Sequence, residues 1–244
     1  MLTGKRAGNI IKVENIFLED TKVIQKSFQG VGEIPHDIEM LFSPRGQFRE
    51  FLMMYQSAVK EVKTKFEILN DDLSVTYNRN PIEAIKSRIK TPESIVSKMK
   101  RKGIEINMNS LMYYIEDVAG IRVICSFIDD IYEVANMLVS QDDIKLLSVK
   151  DYIKNPKPNG YRSYHMIVEV PVFFANRRQN MKVEVQLRTI AMDFWASLEH
   201  KMKYKKDIEG SEEIVAELKK CADSIAELDK RMQDINEGIS NLKN

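Results

Sequence analysis

The chain has 244 residues, 43% hydrophobic and 30% charged, with 37 Lys and Arg against 36 Asp and Glu for a net charge of +1. That length buries a real core in one large domain, or one domain with helical additions, and near-neutrality removes the global basicity that binding a nucleic acid would demand. Cys125 and Cys221 lack CxxC spacing, which excludes a disulfide framework and a cysteine zinc site; no apolar run follows Met1-Leu2-Thr3-Gly4-Lys5-Arg6, so no export leader or membrane span is expected and a cytoplasmic location is.

Residues 1–42, with Gly30, Gly32 and Pro35, show no sustained periodicity and read as an N-terminal extension. Ser43-Pro44 has the form of an N-cap and first turn, and the apolar residues Phe48, Phe51, Leu52, Tyr55, Val59, Val62, Phe66 and Leu69 follow at helical spacing, up to a stop at Asn70-Asp71-Asp72. Thr91-Pro92-Glu93 opens a second helix with the stripe Ile95, Val96, Met99, ended by Gly103, and a short helix is expected at 111–115. Strands are predicted at 120–127, 144–153, 164–170 and 182–188, with a helix at 131–139 and a loop at 171–181. A helix follows Arg188 with Ile190, Phe194, Trp195, Leu198 and Met202. Helices thus cover what reads as one sheet: an α+β domain over 43–206, followed by a C-terminal helix over 207–244.

In that last helix Ile214, Leu218, Cys221, Ile225, Leu228, Met232, Ile235, Ile239 and Leu242 alternate steps of 4 and 3. Such a seam packs on its own domain or pairs with another subunit; four heptads fit either.

Three stretches carry chemistry. Ser94, Lys98 and Arg101 share one helix face, and Arg88 and Lys90 precede the helix N-terminus, an end that favours anions. By composition alone this basic run is better explained by a solvated lysine-rich surface, and no GxxxxGK[ST] loop is present. Lys157-Pro158-Asn159-Gly160-Tyr161-Arg162-Ser163-Tyr164-His165 is a turn dense in phosphate donors with an aromatic. Glu184-Val185-Gln186-Leu187-Arg188-Thr189 alternates, and one face collects a carboxylate, an amide and a guanidinium. Asp117 precedes one strand and Glu184 lies on another; if the strands are neighbours, both reach one hard cation such as Mg²⁺, which accepts one or two carboxylates and leaves positions for phosphates and water.

Arg88-x-Lys90-x3-Ser94-x3-Lys98-x2-Arg101, Asp117-Val118-Ala119-Gly120-Ile121-Arg122, Gly160 to His165 and Glu184 to Thr189 together resemble, in order, the synthetase domain of the RelA/SpoT family, over about residues 45–206, in the form of a stand-alone small alarmone synthetase. The resemblance implies a mixed, nucleotidyltransferase-like sheet flanked by helices. It also implies transfer of the β,γ-pyrophosphate of ATP to the 3′-hydroxyl of GDP or GTP, giving ppGpp or pppGpp and AMP in the stringent response. It would place Arg88 and Arg122 on the adenine, and Lys90, Ser94, Lys98 and Arg101 on the ATP phosphates. Asp117 and Glu184 would hold Mg²⁺, with Glu184 also accepting the hydroxyl proton. Tyr161 would stack on guanine, and Lys150, Lys157, His165 and Gln186 would meet the acceptor's phosphates or the reacting groups. A homo-oligomer, specifically a tetramer, is implied as well.

Tyr164 and Trp195 read as packing residues and His200 as structural. His36-Asp37 resembles the metal dipeptide of the family's hydrolase domain without its upstream histidines, so alarmone hydrolysis is not expected. Some relatives are activated by product near the segment equivalent to Glu83-Ala84-Ile85-Lys86-Ser87; the missing aromatic argues against that here. Two other functions compete: an RNA-binding module with little catalysis, disfavoured by near-neutral charge and one Trp, and a nucleotidyltransferase whose product keeps the AMP.

Overall fold

The computed structural model describes residues 45–77, 79–203 and 211–242. The extension at 1–42, including His36-Asp37, and the Ser43-Pro44 helix start lie outside them. The elements are α1 (Arg45–Tyr77), β1 (Ile82–Ile89), α2 (Pro92–Arg101), α3 (Met108–Tyr114), β2 (Ala119–Cys125), α4 (Ile128–Val139), β3 (Lys145–Asp151), β4 (Tyr164–Phe173), β5 (Arg178–Thr189), α5 (Ile190–Lys203) and α6 (Ser211–Leu242). The strands form one five-stranded mixed sheet in the order β1-β2-β5-β4-β3. Only β2 and β5 run parallel.

Strand alternation sorts the sheet into two faces. Ile121, Val123, Met166, Val168, Val183, Val185 and Leu187 form the buried face, in one core with Phe51, Tyr55, Val62 and Phe66 of α1, Ile95 and Met99 of α2, Leu111 of α3 and Ile131, Val134 and Leu138 of α4. The other face carries Lys86 and Arg88 of β1, Gly120 and Arg122 of β2, Glu184, Gln186 and Arg188 of β5, His165 of β4 and Lys150 of β3, in adjoining register. A polar row across five strands has no place in a core, so this face is where a ligand would sit.

Local signals set the boundaries of α2. Thr91 accepts from the Ser94 backbone N–H as N-cap, and Gly103 takes φ 65°, the left-handed geometry that stops a helix cheaply. In three places the structure departs from the sequence reading. First, α1 runs on through Asn70-Asp71-Asp72 to Tyr77, because Leu73 finds a buried seat and the Asn70 side chain accepts from Ile82 N–H at 3.1 Å, fastening β1 rather than ending the helix. Second, the basic segment before α2 is a strand: as an edge strand β1 exposes Lys86 and Arg88 on one face, which hides its period in charge. Third, the loop expected at 171–181 is mostly ladder, pairing from Pro171↔Asn180 to Phe173↔Arg178, closed by Phe174 N–H on Arg177 C=O at 2.8 Å. Pro171 is tolerated because the β3 pairing stops at Glu169, leaving that edge of β4 free of ladder bonds.

Helix α6 docks through Leu218 and Ile225 of the early heptad seam and through Ala222, Asp229 and Gln233 beside it. Trp195 Nε1 donates to Leu218 C=O at 2.9 Å, Thr189 Oγ1 to Asp229 Oδ2 at 2.6 Å, and Gln233 exchanges bonds with Asp129 at 2.8 and 3.3 Å. Leu228, Met232, Ile235, Ile239 and Leu242 of the seam remain exposed, as do Ile190, Phe194 and Leu198 of α5. Among the described residues no helix is long and apolar enough to cross a membrane.

Candidate active site

Two adjoining clefts open on the polar face, sharing Lys98 and Asp117. The first, about 410 Å³, is lined by Lys90, Glu93, Ser94, Ser97, Lys98, Arg101 and Asp117. The 4-and-3 spacing on α2 delivers its cations and hydroxyls to one side. The second, about 250 Å³, brings Asp117 and Glu184 together with Lys150, Tyr152, Lys157 and His165 among its lining.

Asp117 enters just before β2. Its Oδ2 receives Lys90 Nζ at 2.6 Å and Lys98 Nζ at 2.5 Å, while Lys90 Nζ also donates to the Asp117 carbonyl at 3.0 Å. Burial pushes this carboxyl up, but hydrogen bonds and charge from the two lysines outweigh it and hold Asp117 below the usual carboxylate range. It is therefore ionised at neutral pH. Asp117 Oδ1 is buried and has no hydrogen-bond partner. A buried anionic oxygen without a donor is costly unless something positive meets it.

Glu184 pairs in register with Gly120 on one side and Ile167 on the other. Gly120 presents no side chain between Glu184 and Arg88: a Cβ there would lie 3.9 Å from Glu184 Oε2 and 3.6 Å from Arg88 Cγ. Glu184 Oε2 accepts from Gln186 Nε2 at 2.9 Å, and Oε1 stands 3.7 Å from His165 Nδ1. Burial, followed by the charges of Arg188, Lys157, Lys150 and Arg122, pushes the imidazole of His165 down to about 3, so it is neutral across the physiological range.

Lys157 N–H donates to Tyr161 C=O at 3.1 Å and Gly160 N–H to Lys157 C=O at 2.8 Å, closing a turn in which Gly160 takes φ 86°. The turn sets Lys157 Nζ 4.7 Å from the Tyr152 ring and 4.8 Å from the Tyr161 ring. Tyr161 Oη meets His165 Nε2 at 2.8 Å and accepts from Arg188 Nη2 at 2.7 Å.

The family model described as "Region found in RelA / SpoT proteins" matches residues 87–209. GTP pyrophosphokinase YwaC of Bacillus subtilis (strain 168) is 47% identical over 188 residues, 77% of this chain and 90% of the relative. The chain belongs to the RelA/SpoT family. Among solved structures of that family, small alarmone synthetase 2 from Bacillus subtilis matches with TM-score 0.70 at 46% identity, covering 78% of this chain and 98% of that one. Small alarmone synthetase 1 from Bacillus subtilis bound to its product pppGpp matches with TM-score 0.73 at 33% identity, covering 80% and 99%.

Within this RelA/SpoT frame the sequence candidates fall into three places. Lys90, Ser94, Lys98, Arg101 and Asp117 line the first cleft; Asp117, Glu184, Lys150, Lys157 and His165 line the second. Arg88 and Arg122 stand two residues apart in register on β1 and β2, with Arg122 turned back to Asp193 Oδ1 at 3.2 Å. Gln186 touches Glu184 directly. Tyr161 is half-buried and outside the lining of the second cleft, its ring flanked by Lys157 and by Arg188 at 5.1 Å, while Tyr152 and Tyr114 are the aromatic residues that line it. Sequence reasoning gave no role to Tyr152, Lys86, Arg188 or Asp193. Arg188 stands on the polar alternation of β5; Asp193, an acid in the first turn of α5, carries no comparable signal in the sequence.

Proposed function

We propose that the chain is a Mg²⁺-dependent GTP pyrophosphokinase that moves the β,γ-pyrophosphate of ATP onto the 3′-hydroxyl of GDP or GTP, releasing AMP and making ppGpp or pppGpp in the stringent response. The carrying observation is that Asp117 and Glu184 line one cleft, between a cation-rich cleft on α2 and a wall of Lys150, Tyr152, Lys157 and His165. The GTP pyrophosphokinase activity for which YwaC is named and the pppGpp bound by small alarmone synthetase 1 support the same reaction.

In this reading Lys90, Ser94, Lys98 and Arg101 grip the ATP phosphates, and Arg88 with Arg122 offers planar guanidinium faces to the adenine. The acceptor lies against Lys150, Lys157, Tyr161, His165 and Gln186. Its 3′-oxygen forms the new bond to the β-phosphorus, the bridge to the α-phosphate breaks, AMP leaves with the bridging oxygen, and Glu184 takes the hydroxyl proton. Alignment and electrostatic stabilisation supply most of the acceleration.

The residues fit a divalent cation. Asp117 Oδ1 is buried without a donor, and Glu184 is the second carboxylate in the cleft. Among the described residues no three His, Cys, Asp or Glu cluster as a closed metal site, which suits an ion that takes its other ligands from phosphate and water. When bound, Mg²⁺ would neutralise charge on the reacting phosphates.

The exposed seam of α6 and the exposed apolar residues of α5 favour a homo-oligomer, with a tetramer as the family form, and 207–244 as its assembly element beside the 43–206 catalytic domain. The protein would work in the cytoplasm, where its nucleotides are. The test is incubation with γ-labelled ATP, Mg²⁺ and GDP or GTP. Label entering a guanosine nucleotide with AMP released free supports the reading; AMP retained on the second substrate, or no transfer, sinks it.

A further inference from the structure

Asp193 and Arg188 lie behind the groups that would meet the nucleotides. Asp193, in the first turn of α5, is buried, and its carboxylate takes three cations: Arg122 Nη1 at 3.2 Å and Arg188 Nη1 at 3.1 Å on Oδ1, and Lys86 Nζ at 3.1 Å on Oδ2. One anion shared by three cations, with Nε of both arginines buried and unpartnered, is a poor arrangement for stability alone. It leaves excess positive charge on this face of the sheet and anchors two guanidinium groups on one carboxylate.

The second guanidinium leads onward by two routes. Arg188 Nη2 donates to Gln186 Oε1 at 3.2 Å, and Gln186 Nε2 donates to Glu184 Oε2 at 2.9 Å. The same Nη2 donates to Tyr161 Oη at 2.7 Å, which leaves the phenol hydrogen for His165 Nε2 at 2.8 Å. That choice puts the imidazole hydrogen on Nδ1, the atom 3.7 Å from Glu184 Oε1. The routes therefore lead to different oxygens of one carboxylate: the amide hydrogen-bonds Oε2, and the imidazole N–H faces Oε1 across 3.7 Å, too long for a hydrogen bond but near enough for its dipole to bias that oxygen.

We propose that Asp193 and Arg188 form a positioning pair that sets the orientation of the Glu184 carboxylate. Resting on the pyrophosphokinase reading, the pair deepens it: neither residue touches a reacting atom, and both act on turnover more than on binding. Asp193 also holds Arg122, so it ties the donor side to the acceptor side through one anion. A lysine at 188 keeps the charge but lacks the planar fork that serves Asp193, Tyr161 and Gln186 together.

The experiment compares Arg188→Lys, Asp193→Asn and the double variant with the full-length wild type in the labelled-ATP assay. Arg188→Lys is expected to lower kcat by on the order of 10–100-fold, the scale of a misplaced reacting group, with KM for ATP and GDP within about threefold. Asp193→Asn lowers kcat similarly and also raises KM for ATP by freeing Arg122. Because both act on one carboxylate, the double variant falls no further than the worse single. Wild-type kcat in Arg188→Lys, multiplying losses in the double variant, or losses fully explained by a smaller folded fraction would overturn the pair. If Arg188→Lys does not fold, Tyr161→Phe cuts one route and keeps the ring: a several-fold fall in kcat at unchanged KM for GDP supports the pair, and an unchanged kcat rejects it. An inactive wild type would instead remove the reaction assignment beneath it.

Discussion

On the α2 side of Asp117, Lys90, Ser94, Lys98 and Arg101 come from one short stretch of chain and line an open cleft, with Lys90 and Lys98 both anchored on the Asp117 carboxylate. Beyond Glu184, the groups Tyr152, Lys157, Tyr161, His165, Gln186 and Arg188 come from two strands and the connection between β3 and β4, and they hold one another by ring contacts and hydrogen bonds. The first region is a row of cations with one shared anchor, suited to a flexible polyphosphate. The second is an interlocked set suited to fixing one hydroxyl. Removing a member of the row should cost binding of one substrate; removing a member of the set should disturb its neighbours.

The largest effect should come where the two regions meet. Glu184→Gln keeps shape and loses charge, and turnover should fall about 10²–10⁴-fold. Assayed across Mg²⁺ concentrations, the variant should need more metal for half-maximal rate; unchanged metal demand would assign the loss to proton transfer alone. Lys98→Met tests whether the row serves one substrate alone. It should lower kcat/KM for ATP by on the order of 10–100-fold while KM for GDP stays within about twofold; equal shifts for both nucleotides would erase the distinction between the regions.

Gly160→Ala tests the interlocked set through its backbone. Positive φ at a non-glycine residue costs about 1–3 kcal/mol, and the added Cβ would stand 2.5 Å from Ala222 Cβ. Thermal unfolding should come several degrees lower, and KM for GDP should rise with KM for ATP unchanged. The smallest effect lies under α6. Burial pushes the Asp229 carboxyl up, against the Thr189 hydrogen bond that lowers it. A folded-state value above the unfolded one means stability that is present below the unfolded pKa and lost as pH rises through the folded pKa. Asp229→Asn removes that loss while still accepting from Thr189, so unfolding at pH 7 should come slightly higher, with the gain vanishing below about pH 4; a gain that persists in acid would point to packing instead.

The row was legible in sequence because helix spacing is local: residues 94, 98 and 101 declare their shared face without knowledge of the rest. The alternation at Glu184, Gln186 and Arg188 was equally plain. What it could not disclose was the partner of Arg188, since Asp193 draws its three cations from β1, β2 and β5, and only register brings those together. The same limit hid β1: Arg88 stands out in the sequence, but that it shares a face with Lys86 depends on the antiparallel pairing with β2. Tyr152 went unremarked for a similar reason, its place at the cleft wall depending on how β3 lies against β4.

The way α6 is seated has a practical meaning for anyone shortening this protein. Arg162 Nη1 donates to Ala222 C=O at 3.2 Å and its Nη2 to Asp223 at 3.2 Å, so the early turns of that helix brace the segment carrying Tyr161. Deleting all of 211–244 to ask about assembly would cripple catalysis for an unrelated reason. A stop codon after Asp234 spares the grip on Arg162, Trp195, Thr189 and Asp129 and strips away only Ile235, Ile239 and Leu242 from the bare seam. It is the cleaner scissor cut.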